Sequence, residues 1–133
     1  MNLKELADEI QNREPNILLK LIEESIDIKA QIVTEDFKEK GKRKFLNFGH
    51  TFAHGIESVN SETPILHGHA VLIGMLMALD YSKEQGFLSK DSHEVAKEIL
   101  KGFKYDFTNI KLDANGIFEA CLLYTSDAAD EER

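Results

Sequence analysis

The sequence predicts an all-α fold, a single helical bundle, from three observations. Apolar residues recur at three- and four-residue spacings along most of the chain, no stretch alternates apolar with polar residues for long enough to read as a strand, and glycine, proline and capping residues punctuate the periodic segments. Leu3, Leu6 and Ile10 suit a short amphipathic turn, after which Pro15 stands where a helix would begin. Ile17, Leu18, Leu21, Ile22, Ile28 and Ile32 then mark a long helix ending near Glu35. The charged stretch TEDFKEKGKRK reads as a solvated loop punctuated by Gly41, and FLNFGHTFAHGIE carries the next helix from about Gly49 to Ser58. NSETP breaks it with turn formers. From His67 a helix runs toward Gly86, a C-terminal stop. Ser89 and Asp91 cap a further helix with Val95, Ile99, Leu100 and Phe103 on one face and His93 on the charged, exposed one, and a last short helix starts near Asp113.

The chain has 133 residues, enough for one modest core, and residues 1–121 are expected to form one helical domain. Residues 122–133 interrupt an apolar segment with small and acidic side chains, and read as a disordered or foreign tail. A net charge of -8 argues against nucleic acid as a partner, since phosphate backbones draw on an excess of Lys and Arg. The single cysteine, Cys121, excludes an internal disulfide framework and paired-cysteine zinc clusters; it reads as a small buried apolar residue. The N-terminus lacks the apolar segment of a signal peptide, and the longest apolar run, Ala70 to Leu79, is half the ~20 residues that span a bilayer. A cytoplasmic protein with no membrane partner is expected, with Met75 and Met77 in its core.

Histidines carry the chemistry. His50 and His54 are four residues apart, so on a helix they address one small volume, and LHGHAV brings His67 and His69 at the start of the next helix. Neutral imidazole is a good zinc donor, and a catalytic zinc takes three protein ligands and an open position. The intervening TFA lacks the glutamate of the zinc-protease HExxH pattern. Taken alone, an HxxxH pair on a helix is more often a surface or core coincidence than a ligand pair. Gly49, Gly55 and Gly68 each weaken a helix by about 1 kcal/mol relative to alanine, and beside histidines they suggest close backbone approach. Arg43 and Asn47 add anion donors nearby in sequence, although Asn47 also suits a helix N-cap.

The ordered phrase RKFLNFGHTFAHGIES followed by LHGHAVLIGMLMALDYS, with SIDIKAQIVTEDFKEKGKRK upstream, closely resembles the helical C-terminal domain of the 3-dehydroquinate synthase family over roughly residues 13 to 105. The resemblance implies that His50 and His67 are ligands of a catalytic Zn2+ (or Co2+), that His54 is the acid/base histidine, and that Lys29, Arg43 and Asn47 contact the carboxylate, hydroxyl or phosphate groups of the substrate. It further implies NAD, held mainly by an N-terminal domain that this chain lacks, an anionic sugar-phosphate substrate, and a homodimeric intact enzyme. A third zinc ligand, a family glutamate, would precede the matched region. Two departures stand out: YTSDAADEER occupies the place of a family DKK segment, and His69 replaces a family glutamate and is read as a solvent-facing residue. The expected activity is the phosphate-eliminating ring closure that yields 3-dehydroquinate, with the fragment inactive alone. Another sugar-phosphate cyclase, a metal-dependent alcohol dehydrogenase relative and a non-catalytic helical interaction module stay open at this point.

Overall fold

A computed structural model describes residues 8–103, 105 and 107–130, with backbone alone for 123–130. The described residues form helices, turns and no strand, as the periodicity predicts. In order, these are α1 (Pro15–Glu35), a 3-10 helix (Lys42–Asn47), α2 (His50–Val59), α3 (His67–Glu84), α4 (Lys90–Lys101) and α5 (Ala114–Asp130). The turn expected through Leu3 and Leu6 lies outside the described residues, but its continuation at 8–11 is helical. No helix among the described residues is long and apolar enough to cross a membrane.

The chain divides into two compact units, where one packing unit was expected from its length. The first comprises Met1–Asn47 and Glu98–Lys104. Its main element, α1, begins with Pro15 in the first turn, where a missing N–H removes no helical bond, and has no buried residue. Leu18, Leu21, Ile22, Ser25, Ile26 and Lys29 line a shallow depression along it. Order in the following loop comes from Asp36. Its carboxylate accepts from the backbone N–H of Lys40 at 2.9 Å, Gly41 at 2.7 Å and Arg43 at 3.1 Å. These bonds, above all that from Lys40, hold the Asp36 carboxyl below its ordinary range.

The second unit comprises Phe48–Lys97 and Tyr105–Arg133 and contains the buried cluster Ala53, Ile56, Ala70, Ile73 and Ile117. Here α2 lies against both α3 and α5. Gly49, at φ +84°, adopts the left-handed conformation that caps α2, and a Cβ there would meet the Met75 backbone nitrogen at 2.7 Å. Opposite it, a Cβ on Gly74 would collide with the Gly49 carbonyl oxygen and lie 3.0 Å from Ala53 N. A Cβ on Gly55 would meet the Ile117 carbonyl at 2.8 Å. Close approach therefore explains Gly49 and Gly55, but not Gly68, where a Cβ would meet no atom of the described residues within 4 Å. Asn60, 3 % exposed, ties the end of α2 to the segment before α5. Its amide donates to the carbonyls of Ile56 and Lys111 and accepts from Lys111 N at 2.9 Å.

Two sequence expectations need correction around α4. His93, read as exposed and without a role, is 4 % exposed, whereas Val95 is 59 % exposed. The inward position goes to the imidazole because Asp80 on α3 gives it a partner: His93 Nε2 lies 2.6 Å from Asp80 Oδ1, which Lys97 Nζ also reaches at 2.6 Å. Donation from Lys97 and then from His93 holds the Asp80 carboxyl below its usual value. At the other end of the chain, α5 continues through Asp130, so the stretch read as a tail from residue 122 is helical as far as that residue. Asp113, at the expected start, accepts from Gly116 N at 3.2 Å as a capping side chain.

Candidate functional site

Glycine contact between α2 and α3 sets the geometry of the histidines. His50 follows Gly49 directly, and His67 precedes Gly74 by two helical turns on the same face, so the backbone approach at Gly49 and Gly74 brings the two imidazoles together. Their ring centroids are 5.4 Å apart. His54, one turn beyond His50, completes a triangle with centroids 6.2 Å from His50 and 6.3 Å from His67. Nδ1 of His50 is buried and has no hydrogen-bond partner among the described residues. Such an atom carries an uncompensated desolvation of about 1–3 kcal/mol until something satisfies it.

These separations discriminate between the rings. A metal–nitrogen bond of about 2.0–2.1 Å puts a ring centroid roughly 3.2 Å from the ion, so two ligands at a tetrahedral angle have centroids about 5.2 Å apart and two opposed ligands about 6.4 Å apart. The His50–His67 pair, at 5.4 Å, suits the tetrahedral case, whereas both distances from His54 approach the opposed one. Among the described residues no set of three His, Cys, Asp or Glu side chains is arranged to hold a metal ion. The geometry supplies three neighbouring imidazoles, of which His50 and His67 are the closest pair.

One participant was missed in the sequence. Glu57 places Oε1 2.8 Å from His67 Nδ1 and Oε2 3.3 Å from His54 Nδ1, so a single carboxylate spans two of the three rings. Its signal was present: Glu57 follows His54 by three residues and His50 by seven, which puts all three on one helical stripe. His69, expected to face solvent, is half-buried with its ring edge-on to Tyr105 at 5.1 Å. Cys121, expected to be buried, is half-buried; its thiol donates to the Thr51 carbonyl at 3.2 Å, and burial pushes its pKa up.

Lys29, Arg43 and Asn47 belong to the first unit. Lys29 is exposed on α1. Arg43 and Asn47 stand on the 3-10 helix and share Glu39: Asn47 Nδ2 donates to Glu39 Oε1 at 2.8 Å, and Arg43 Nε lies 3.6 Å from Glu39 Oε2. Arg43 Nη1 also donates to the Phe37 carbonyl at 3.0 Å. Asn47 does not cap α2, whose N-cap is Gly49. Two polar side chains are thus held on one short element.

Fold and side chains together define an all-α domain built around a seam of three imidazoles. The profile of the family described as 3-dehydroquinate synthase C-terminal matches residues 1–125. The chain is 47% identical over 92 residues to the 3-dehydroquinate synthase of Campylobacter concisus, covering 69% of this chain and 27% of that protein. It is 42% identical over 116 residues to that of Campylobacter curvus, covering 87% of this chain and 32% of the relative. For the Helicobacter pylori enzyme (strain 26695) the figures are 36% over 121 residues, 90% and 35%. The chain belongs to the 3-dehydroquinate synthase C-terminal family, and it spans between 27% and 35% of the length of these relatives.

Proposed function

We propose that this chain is the helical metal- and substrate-binding part of a cytoplasmic 3-dehydroquinate synthase, a lyase of the shikimate pathway that eliminates phosphate from a seven-carbon sugar acid phosphate and closes a carbocycle. The observation that carries the reading is the 5.4 Å separation of the His50 and His67 rings, at the two positions the family resemblance assigns to metal. The buried Nδ1 of His50, which has no hydrogen-bond partner among the described residues, supports it. A divalent cation, Zn2+ or Co2+, supplies Lewis-acid polarisation of a substrate oxygen when bound. His50 and His67 would hold it from two helices whose spacing is set by backbone contact, so the donors would be positioned before the ion arrives. By the family resemblance a glutamate would complete the coordination, and NAD would be held mainly by an N-terminal domain.

His54 lies too far from both partners to share a tetrahedral ion and has a carboxylate on Nδ1, the arrangement of a proton-transferring imidazole. Lys29, Arg43 and Asn47 donate to the carboxylate, hydroxyl or phosphate groups of the substrate, with Glu39 keeping the last two oriented. A homodimer is the expected assembly of the intact enzyme, and this chain alone is expected to lack cyclase activity. Calorimetric titration with Zn2+ tests the metal assignment. The chain should bind one ion weakly and a His50→Ala, His67→Ala double variant should bind none; equal binding by both proteins would remove the assignment.

A further inference from the structure

The first turn of α3 has little of its own to hold it, yet it carries His67. Its N-cap, Leu66, makes no side-chain hydrogen bond and no acidic residue stands in the turn. Gly68 adds the entropy cost of glycine, and a Cβ there would meet no atom of the described residues within 4 Å. We propose that Tyr105 clamps this turn through ring contact with His69, and is thereby a positioning residue for His67.

His67 and His69 are two residues apart, so their side chains leave the helix about 200° apart. One meets the histidine seam and the other meets the segment that precedes α5. There the His69 imidazole stands edge-on to the Tyr105 ring, with centroids 5.1 Å apart and planes at 70°, the geometry of an attractive aromatic pair. Tyr105 in turn stacks on Phe107 at 6.0 Å, and Phe107 packs against the buried cluster that includes Ala70 of the same turn. The far end of the segment is tied down as well, since Lys111 N donates to Asn60 Oδ1 at 2.9 Å. Tyr105 is therefore backed by anchored structure where it meets the helix start. The turn it holds is closed by His69 N and Ala70 N, which both donate to the Leu66 carbonyl, at 2.9 and 3.1 Å. Fraying of that turn would carry the His67 ring away from His50, and the 5.4 Å pair would be lost in that fraction of molecules, weakening apparent metal affinity in proportion. The effect on metal affinity rests on the function proposed above, whereas the effect on the turn does not.

Amide hydrogen exchange of the metal-free chain reads the turn directly. Tyr105 lies outside α3, so replacing it changes no helix propensity there. Tyr105→Ala should quicken exchange at His69 and Ala70 by about 2–10-fold, the worth of one aromatic pair. Tyr105→Phe, which keeps the ring, should restore the wild-type rates. The Lys111 amide, held by Asn60, should stay protected in both variants, which separates loss of the clamp from loss of the whole segment. Wild-type rates in Tyr105→Ala, or equal quickening at Lys111, would overturn the proposal. So would a Tyr105→Phe variant as fast as Tyr105→Ala, since the effect would then belong to the hydroxyl. Zn2+ titration supplies the second arm: affinity about 2–10-fold weaker in Tyr105→Ala, with recovery in Tyr105→Phe. Wild-type affinity in Tyr105→Ala, alongside loss of binding in the His50→Ala, His67→Ala variant, contradicts the positioning role while leaving the metal reading intact. Unchanged binding in the histidine variant refutes the metal reading, and the exchange rates then judge the clamp alone.

Discussion

In the unit built from Phe48–Lys97 and Tyr105–Arg133, helices approach until only glycine fits at Gly49, Gly55 and Gly74, and the histidine seam inherits that rigidity. In the unit built from Met1–Asn47 and Glu98–Lys104, α1 has no buried residue, and carboxylates do the ordering: Asp36 collects three backbone amides, while Glu39 holds Arg43 and Asn47. Interdigitated backbone fixes spacing through contacts that contain no titrating group. Exposed carboxylate bonds fix orientation, yield to salt and acid, and can be exchanged for a ligand's oxyanion. The difference matches what each set of residues is proposed to hold, a metal ion of fixed bond length in one case and mobile anionic groups in the other.

The largest expected effect comes from breaking the packed side of that comparison. Gly74→Ala drives a methyl into the Gly49 carbonyl and should destabilise the chain by about 3 kcal/mol, at the upper end for overpacking, because backbone cannot rotate aside. Gly68→Ala, whose new methyl would meet no atom of the described residues within 4 Å, should instead be neutral or stabilise by up to about 1 kcal/mol. Urea unfolding of the two variants side by side measures both, and similar losses would mean that helix propensity alone, not the interhelical contact, sets the requirement for glycine.

Asp80→Ala should have a smaller effect, about 1–2 kcal/mol, since it leaves the His93 ring buried without its partner. Because the folded-state pKa of Asp80 lies below its ordinary 3.8, the carboxylate's contribution is present above that value and lost as pH falls through the lower, folded one. Thermal unfolding across this acid range should therefore show wild type approaching the variant only at the most acidic points. The smallest effect belongs to Asp36→Asn. Hydrogen exchange should quicken at the amides of Lys40, Gly41 and Arg43 with little change in global stability, and wild type should show the same loss as pH drops beneath 3.8 toward the folded pKa.

Much of this was legible in the chain itself. Pro15, Gly86 and Asp113 punctuate helices near where the structure ends or begins them, and the His50, His54 and His67 rings do meet. Pattern failed where a tertiary partner overrode it. His93 sits on a polar helical face, yet Asp80, from another helix, makes its burial tolerable, and no local window contains that information. Asn60 reads as a turn former because its role depends on Lys111, 51 residues away. Glu57 was readable from spacing but passes for an ordinary surface charge until His67 arrives beside it. Gly68 shows the opposite error, a suggestive neighbour of histidines where an added Cβ would meet none of the described residues within 4 Å.

Following the ring nitrogens of His50, His54 and His67 by 15N NMR during a Zn2+ titration tests the central claim most directly. Coordination by the close pair predicts that one nitrogen each of His50 and His67 shifts in a single concerted step, with His54 moving little. Equal shifts on all three rings, or none on His50, would contradict it.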